Sequence, residues 1–153
     1  MPQTAPLAIE AHVDIAAPPA AVWAAVGDPT RMPEWSPELR RLKVLGGRPR
    51  VGATLLGVNR RGLVVWPTTS RVIRYEPERA IAWKTRESGA TWIYELAATQ
   101  GGTRLTGRRD LARFGLGTTV LGPLLGGAQG HDEELAAGIA TTLQRIRASV
   151  EEF

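Results

Sequence analysis

Apolar and polar positions alternate at the start of the chain, where Ile9, Ala11, Val13 and Ile15 interleave with Glu10, His12 and Asp14. That period of two predicts a half-buried strand. After Ala17-Pro18-Pro19, residues Ala20 to Val26 are helix formers with Val22, Trp23 and Val26 on one side. Proline is accommodated in a first helical turn, so a helix starts here, and Gly27-Asp28-Pro29 ends it. Pro29, Pro33 and Pro37 forbid a long helix over 28–37. Asp28 before Pro29 and Ser36 before Pro37 each predict an N-cap leading a short helical turn.

From Arg40 to Asp110 the punctuation is that of short strands. Leu42 to Leu45 stops at Gly46-Gly47. Ala53 to Val58 meets Leu63 to Tyr75 across Asn59-Arg60-Arg61-Gly62, a hairpin-like connection, and Pro67 predicts a bulge or an edge. Ala80 to Thr85 follows Glu76-Pro77-Glu78, Ala90 to Ala97 follows Glu87-Ser88-Gly89, and Thr103 to Leu111 follows Gly101-Gly102. Strands joined by such short links form an antiparallel meander. Ala112 to Gly130 then holds six glycines among Leu116, Val120, Leu121, Leu124 and Leu125, the composition of a lid or binding loop. Asp132 to Glu152 repeats Leu135, Ile139, Leu143, Ile146 and Val150 at three- and four-residue steps, the stripe of a long amphipathic helix. Asp132, Glu133 and Glu134 fall where a helix start favours acids.

Length and composition narrow the class. The 153 residues suffice for one domain, 1–153, with a substantial core. Hydrophobic residues at 43% and charged residues at 22% place the chain among globular proteins rather than disordered ones. No apolar run approaches the roughly 18 residues of a bilayer span. The start Met1-Pro2-Gln3-Thr4-Ala5-Pro6 lacks the basic-then-apolar layout of a signal peptide, and cysteine is absent. A cytoplasmic protein without integral membrane association is expected. The net charge of +4 is almost all arginine, since Lys43 and Lys84 are the only lysines. The pairs Arg40-Arg41, Arg60-Arg61 and Arg108-Arg109 are scattered without a long basic run, so no nucleic-acid partner is expected.

The order of elements predicts an α+β fold, a curved antiparallel sheet of six to seven strands against one long C-terminal helix, with two short helices after strand 1. The helix offers a single apolar stripe, whereas the sheet offers many large inward residues. If Trp92, Tyr94 and Leu96 face inward, parity sends Thr91, Ile93 and Glu95 outward; Ile81 and Trp83 likewise share a face. One helix does not fill such a sheet, so an apolar cavity lined by aromatic residues is expected, and such a pocket is the default ligand site.

The segment from Trp23 through Asp28-Pro29-Thr30-Arg31-Met32-Pro33-Glu34-Trp35-Ser36-Pro37, together with Gly101-Gly102-Thr103-Arg104-Leu105-Thr106 and the element order, resembles the START-like, polyketide cyclase/dehydrase and lipid-transport superfamily (SRPBCC). The resemblance runs from about Ile9 to Val150. It implies the helix-grip architecture, in which the sheet wraps around the long helix, and a cavity between the two. Its motifs are packing and turn residues, which specify the fold and leave the activity open among lipid carriers, hormone receptors, aromatic polyketide cyclases and chaperone activators.

Candidate chemistry is sparse. Trp23 and Trp35 are expected to brace the short helices against the sheet. Trp66, Trp83 and Trp92 either line the cavity or pack in plain core. Tyr94 is the best polar anchor, because a buried phenol needs a hydrogen-bond partner that a ligand or a backbone group can supply. Arg109 shares parity with Leu105 and either points into the cavity, where it would bind a carboxylate or polarise a carbonyl, or forms a rim salt bridge with Glu95 or Asp110. The expected ligand contacts are Trp66, Trp83, Trp92, Tyr94, Leu121, Leu124, Leu125 and Ile139, with Tyr94 and Arg109 as catalytic candidates. His12 falls on the outward face, and His131 beside Asp132-Glu133-Glu134 reads as helix capping. Two distant histidines and no cysteine predict no metal site; no phosphate loop or nucleophile elbow occurs, and no cofactor is expected. The expected partner is a small hydrophobic molecule (a lipid, isoprenoid or polyketide-like compound), with a cyclase or dehydratase as the alternative.

Overall fold

The computed structural model describes residues 8–111 and 128–152. Strand β1 (Ala8–Ile15) is followed by helix α1 (Pro19–Val26) and a 3-10 turn (Pro29–Glu34). Strands β2 (Leu39–Val44), β3 (Thr54–Arg61), β4 (Val64–Glu76), β5 (Ala80–Thr85), β6 (Ala90–Thr99) and β7 (Gly102–Leu111) follow. Helix α2 (Ala128–Glu151) closes the described chain. The strands form one curved antiparallel sheet in the order β1-β7-β6-β5-β4-β3-β2. The meander therefore runs unbroken from β2 to β7, and β1 pairs at the far side of β7.

The core lies between the sheet and α2. From the helix come Ile139, Leu143, Ile146 and Val150, all buried, and from the sheet Val13, Ile15, Leu55, Val72, Ile81 and Leu105. Period 3.6 on one side and period two on the other bring these rows into register. In α1 the buried residues are Val22, Ala25 and Val26, while Trp23 is half-buried and meets Tyr75 of β4 at 5.4 Å between ring centroids. Asp28 caps the 3-10 turn as expected, its carboxylate accepting from the Thr30 amide at 3.1 Å. Trp35 is buried, and its carbonyl accepts a 3.1 Å bond from Arg145 of α2, which ties the turn to the long helix.

Several details depart from the pattern read in the sequence. Ser36 caps no helix; its hydroxyl accepts from the Leu39 amide at 3.1 Å and leads straight into β2. The β3–β4 connection is tighter than expected, with β3 continuing to Arg61 and the turn confined to Gly62-Leu63, where Gly62 takes φ +62°. Pro67 keeps regular register opposite Val58, and the bulge in β4 lies between Val72 and Arg74. The edge alternative holds for Pro67. Thr69 directs its backbone toward the β5 side, where Arg86 donates to its carbonyl. Two residues earlier Pro67 faces the same side, beyond the last β4–β5 pair at Ser70 and Thr85, so no bond is lost for want of its N–H. Helix α2 starts four residues before Asp132, so His131 and the acids after it lie inside the helix and the capping role read for them does not hold. Of the expected lid, residues 112–127 lie outside the described residues and 128–130 are helical.

Candidate functional site

Strand alternation puts Trp66, Thr68 and Ser70 of β4, Trp83 and Thr85 of β5, and Trp92 and Tyr94 of β6 on the face turned toward α2. Helix α2 answers with Gly138, Ile139 and Thr142. Among the described residues these groups, with Met32, Leu39, Leu42 and Arg109, line a cavity of about 390 Å³. Trp66, Trp83, Trp92, Tyr94, Ile139 and Arg109 thus line one cavity, with Trp83, Trp92 and Tyr94 on the face that strand parity gives them. Leu121, Leu124 and Leu125 lie outside the described residues.

One wall of the cavity is aromatic. The Trp83 and Tyr94 rings lie 5.8 Å apart, and the Arg109 guanidinium sits 5.9 Å from the Trp92 ring centroid, within the range of a cation–π contact. Hydroxyl and amide groups are interspersed along the strands that line the cavity. The Ser70 and Thr85 hydroxyls share a hydrogen bond of 2.8 Å, and Asn59 donates to Thr68 Oγ1 at 3.1 Å. Thr142 donates back to the Gly138 carbonyl at 2.8 Å. Glu87 also lines the cavity, and its carboxylate accepts from the Thr69 amide at 2.6 Å.

Tyr94 is only 4% exposed. Its ring lies where β7 carries Gly107: a Cβ there would stand 3.2 Å from Tyr94 Cε1, 3.2 Å from Ile139 Cγ2 and 3.3 Å from Leu143 Cδ2. The missing side chain lets sheet and helix close over the phenol ring. Among the described residues no group hydrogen-bonds the Tyr94 hydroxyl, although its ring packs beside that of Trp83. Buried hydroxyls are rarely left without such a bond. Burial pushes the phenol well above its ordinary pKa, because phenolate would be stranded in an apolar surrounding. Below about pH 10 both folded and unfolded chains keep the proton, and this contribution is intact; above it only the unfolded chain releases the proton, so stability falls as pH rises. Tyr94→Phe is expected to lose less Tm than the parent between about pH 9 and 11; identical alkaline losses would contradict the assignment.

Arg109 is 5% exposed and belongs to the cavity wall. Its two proposed rim partners are engaged elsewhere: Glu95 by Arg74 at 2.9 Å and Asp110 by Arg108 at 2.6 Å. His12 is exposed as expected. Sequence reasoning missed Asn59, Thr68, Ser70, Thr85, Thr142 and Glu87. The signal for three of them was present, since Thr68 and Ser70 share parity with Trp66, and Thr85 with Trp83. Glu87 sits in the β5–β6 turn, where parity says nothing. Among the described residues no group of three or more His, Asp or Glu side chains is placed to hold a metal ion, and no helix is long and apolar enough to cross a membrane.

The arrangement matches known proteins in fold. The Polyketide_cyc-like protein Cgl2372 from Corynebacterium glutamicum is 30% identical, with a TM-score of 0.68 over 97% of this chain and 94% of that one. Protein NE0264 from Nitrosomonas europaea is 18% identical, with a TM-score of 0.73 over 98% of this chain and 97% of that one. The di-domain ARO/CYC StfQ from the steffimycin biosynthetic pathway is 17% identical, with a TM-score of 0.72 over 95% of this chain and 51% of StfQ. A search of curated proteins finds no match. The profile of one family, described as Polyketide cyclase / dehydrase and lipid transport, matches residues 6–151. With that span covering nearly the whole sequence, and with the sheet, helix and intervening cavity in place, the chain belongs to the polyketide cyclase/dehydrase and lipid-transport family.

Proposed function

We propose that the protein is a carrier or sensor that binds one small, mostly apolar molecule with a polar end in the cavity between sheet and α2. The observation that carries this reading is Tyr94, a buried phenol in an aromatic wall whose hydroxyl has no hydrogen-bond partner among the described residues. A ligand oxygen would supply that partner. The cavity volume of about 390 Å³ falls in the range of small-molecule sites. Affinity would come from apolar burial at roughly 25 cal/mol per Å², less the cost of immobilising the ligand. Trp66, Trp83, Trp92 and Ile139 would supply that contact, while Tyr94 and Arg109 orient the polar end. We take the whole chain, 1–153, as one such binding unit working in the cytoplasm, which the absence of cysteine suits.

Titration with a polarity-sensitive fluorescent fatty acid tests this. The Trp92→Ala, Tyr94→Ala double variant is expected to bind at least about tenfold more weakly, a loss of about 1.4 kcal/mol. Tyr94→Phe, which removes one hydrogen bond and keeps the ring, is expected to lose about three- to tenfold. Affinity unchanged in the double variant sinks the reading.

A second reading, a cyclase or dehydratase acting on a poly-β-keto chain, is favoured by Glu87. General acid–base chemistry needs a group with a transferable proton at the substrate, and Glu87 brings a carboxylate to the cavity lining. Turnover of a model poly-β-ketone by the purified protein, abolished in Glu87→Gln with binding retained, would decide for this reading.

A further inference from the structure

The opposite face of the same sheet carries a second surface. Between Leu39 and Tyr75 the chain has nine arginine and lysine residues and not one aspartate or glutamate, although it holds 15 acids in all. Strands β2, β3 and β4 fold this segment into one end of the sheet. Leu55, Trp66 and Ser70 turn inward, so their neighbours Leu56, Val58, Val65 and Pro67 turn outward. There Val65 is 59% exposed, Leu56 42% and Val58 41%. The register sets Val58 beside Pro67 and Arg60 beside Val65, which joins the four into one apolar strip.

Cations border this strip. On β2, Arg41 lies beside Val58 and Lys43 beside Leu56. On the other side Arg71 stands beside Lys84 of β5. All four are exposed, and none forms an ion pair with a described residue. The hairpin tip continues the strip with Leu63, 94% exposed. Arg60, Arg61 and Gly62, next to that tip, also line the cavity.

We propose that the outer face of β2–β4 docks on an anionic lipid bilayer. Aliphatic side chains in the middle enter the boundary between headgroups and acyl chains, while the bordering cations meet lipid phosphates. A nucleic acid would use the cations but gain nothing from an aliphatic centre. Docking places the hairpin tip and the adjoining end of the cavity at the membrane surface. This surface goes beyond the ligand-binding reading and stands or falls separately from it.

Co-sedimentation with vesicles tests the proposal. The protein is expected to sediment with vesicles of phosphatidylcholine and phosphatidylglycerol in equal parts, to stay in solution with phosphatidylcholine alone, and to release as salt rises. Arg41→Glu with Lys43→Glu is expected to cut partitioning about thirtyfold or more, at roughly 1 kcal/mol for each basic residue lost. Leu56→Ser with Val58→Ser is expected to cut it as well, whereas Arg79→Glu, a single charge reversal outside the strip, leaves it within about twofold. The Trp92→Ala, Tyr94→Ala double variant is expected to sediment like the parent, which separates docking from ligand binding. Failure to sediment with the mixed vesicles overturns the proposal, whether or not the protein retains a labelled DNA duplex. Unchanged partitioning in the Leu56→Ser, Val58→Ser variant, or an equal loss in Arg79→Glu, does the same.

Discussion

Gly102→Ala is expected to cost about 3 kcal/mol or more of folding free energy, a large share of the total for a domain of this size. Gly102 opens β7 with φ +154°, and a Cβ there would overlap the carbonyl oxygen of Ile15. It would also lie 2.9 Å from the Ala17 nitrogen and 3.1 Å from the Ala16 Cα. These are backbone atoms and cannot swing aside as a side chain can. Three elements meet at this corner. The Thr103 hydroxyl donates to the Ala17 carbonyl at 2.7 Å, and Glu151 at the end of α2 accepts from the Ala16 amide at 2.8 Å. Moving β1 away from residue 102 therefore strains β7 and the helix end together. Gly101→Ala is the matched control, because a Cβ at that position meets nothing within 4 Å, and its cost should stay below about 1 kcal/mol. Urea unfolding of both variants checks the claim; equal midpoints would refute it.

Trp83→Ala should cost about 3 kcal/mol and, unlike the glycine variant, should be rescued by a small aromatic solute. Trp83 is buried on the central strand β5, opposite Val72 and Trp92 in register and beside the Tyr94 ring. Truncating a buried tryptophan costs about 3–5 kcal/mol, through lost transfer energy and lost contacts. The low end applies because one side of the indole already borders the cavity, where it has fewer partner atoms to lose. The new space is apolar and joins the existing cavity, so indole in solution can refill it. Indole at about 100 times its Kd should restore roughly 2.7 kcal/mol. Thermal unfolding with and without indole reads this directly. A variant as stable as the parent, or one that indole leaves unmoved, would show that Trp83 does not hold the wall.

The same physics explains how much of the site was legible. Trp92, Tyr94 and Leu96 alternate with Thr91, Ile93 and Glu95 on a strand without bulges, so the three share one face by a period of two. Arg109 was legible only in part: parity with Leu105 offered the cavity, a rim salt bridge stood beside it, and the residue is buried in the cavity wall. Parity failed where the backbone breaks its count. The β4 bulge between Val72 and Arg74 brings Tyr75 to the Trp23 ring, although a regular strand would send it outward. Glu87 was invisible because a turn residue has no periodic partner to fix its direction. Nine cations without an acid between Leu39 and Tyr75 could be counted in the sequence. That three of them, Arg41, Lys43 and Arg71, border an aliphatic strip could not, because the strip is assembled across strands by register.

Local chemistry therefore determined the elements and their order. Proline and glycine positions cut the chain, period two marked the strands, and the stripe from Ile139 to Val150 marked the long helix. These depend on neighbours in sequence, so the sequence carries them by itself. The tertiary structure alone decided how far the helix stands from the sheet. Gly107 permits the close approach beside Tyr94, Gly102 fixes the corner at Ile15, and Trp66, Trp83 and Trp92 line the space left between sheet and helix. Cavity volume is the small remainder between those long-range contacts, and no local pattern encodes it.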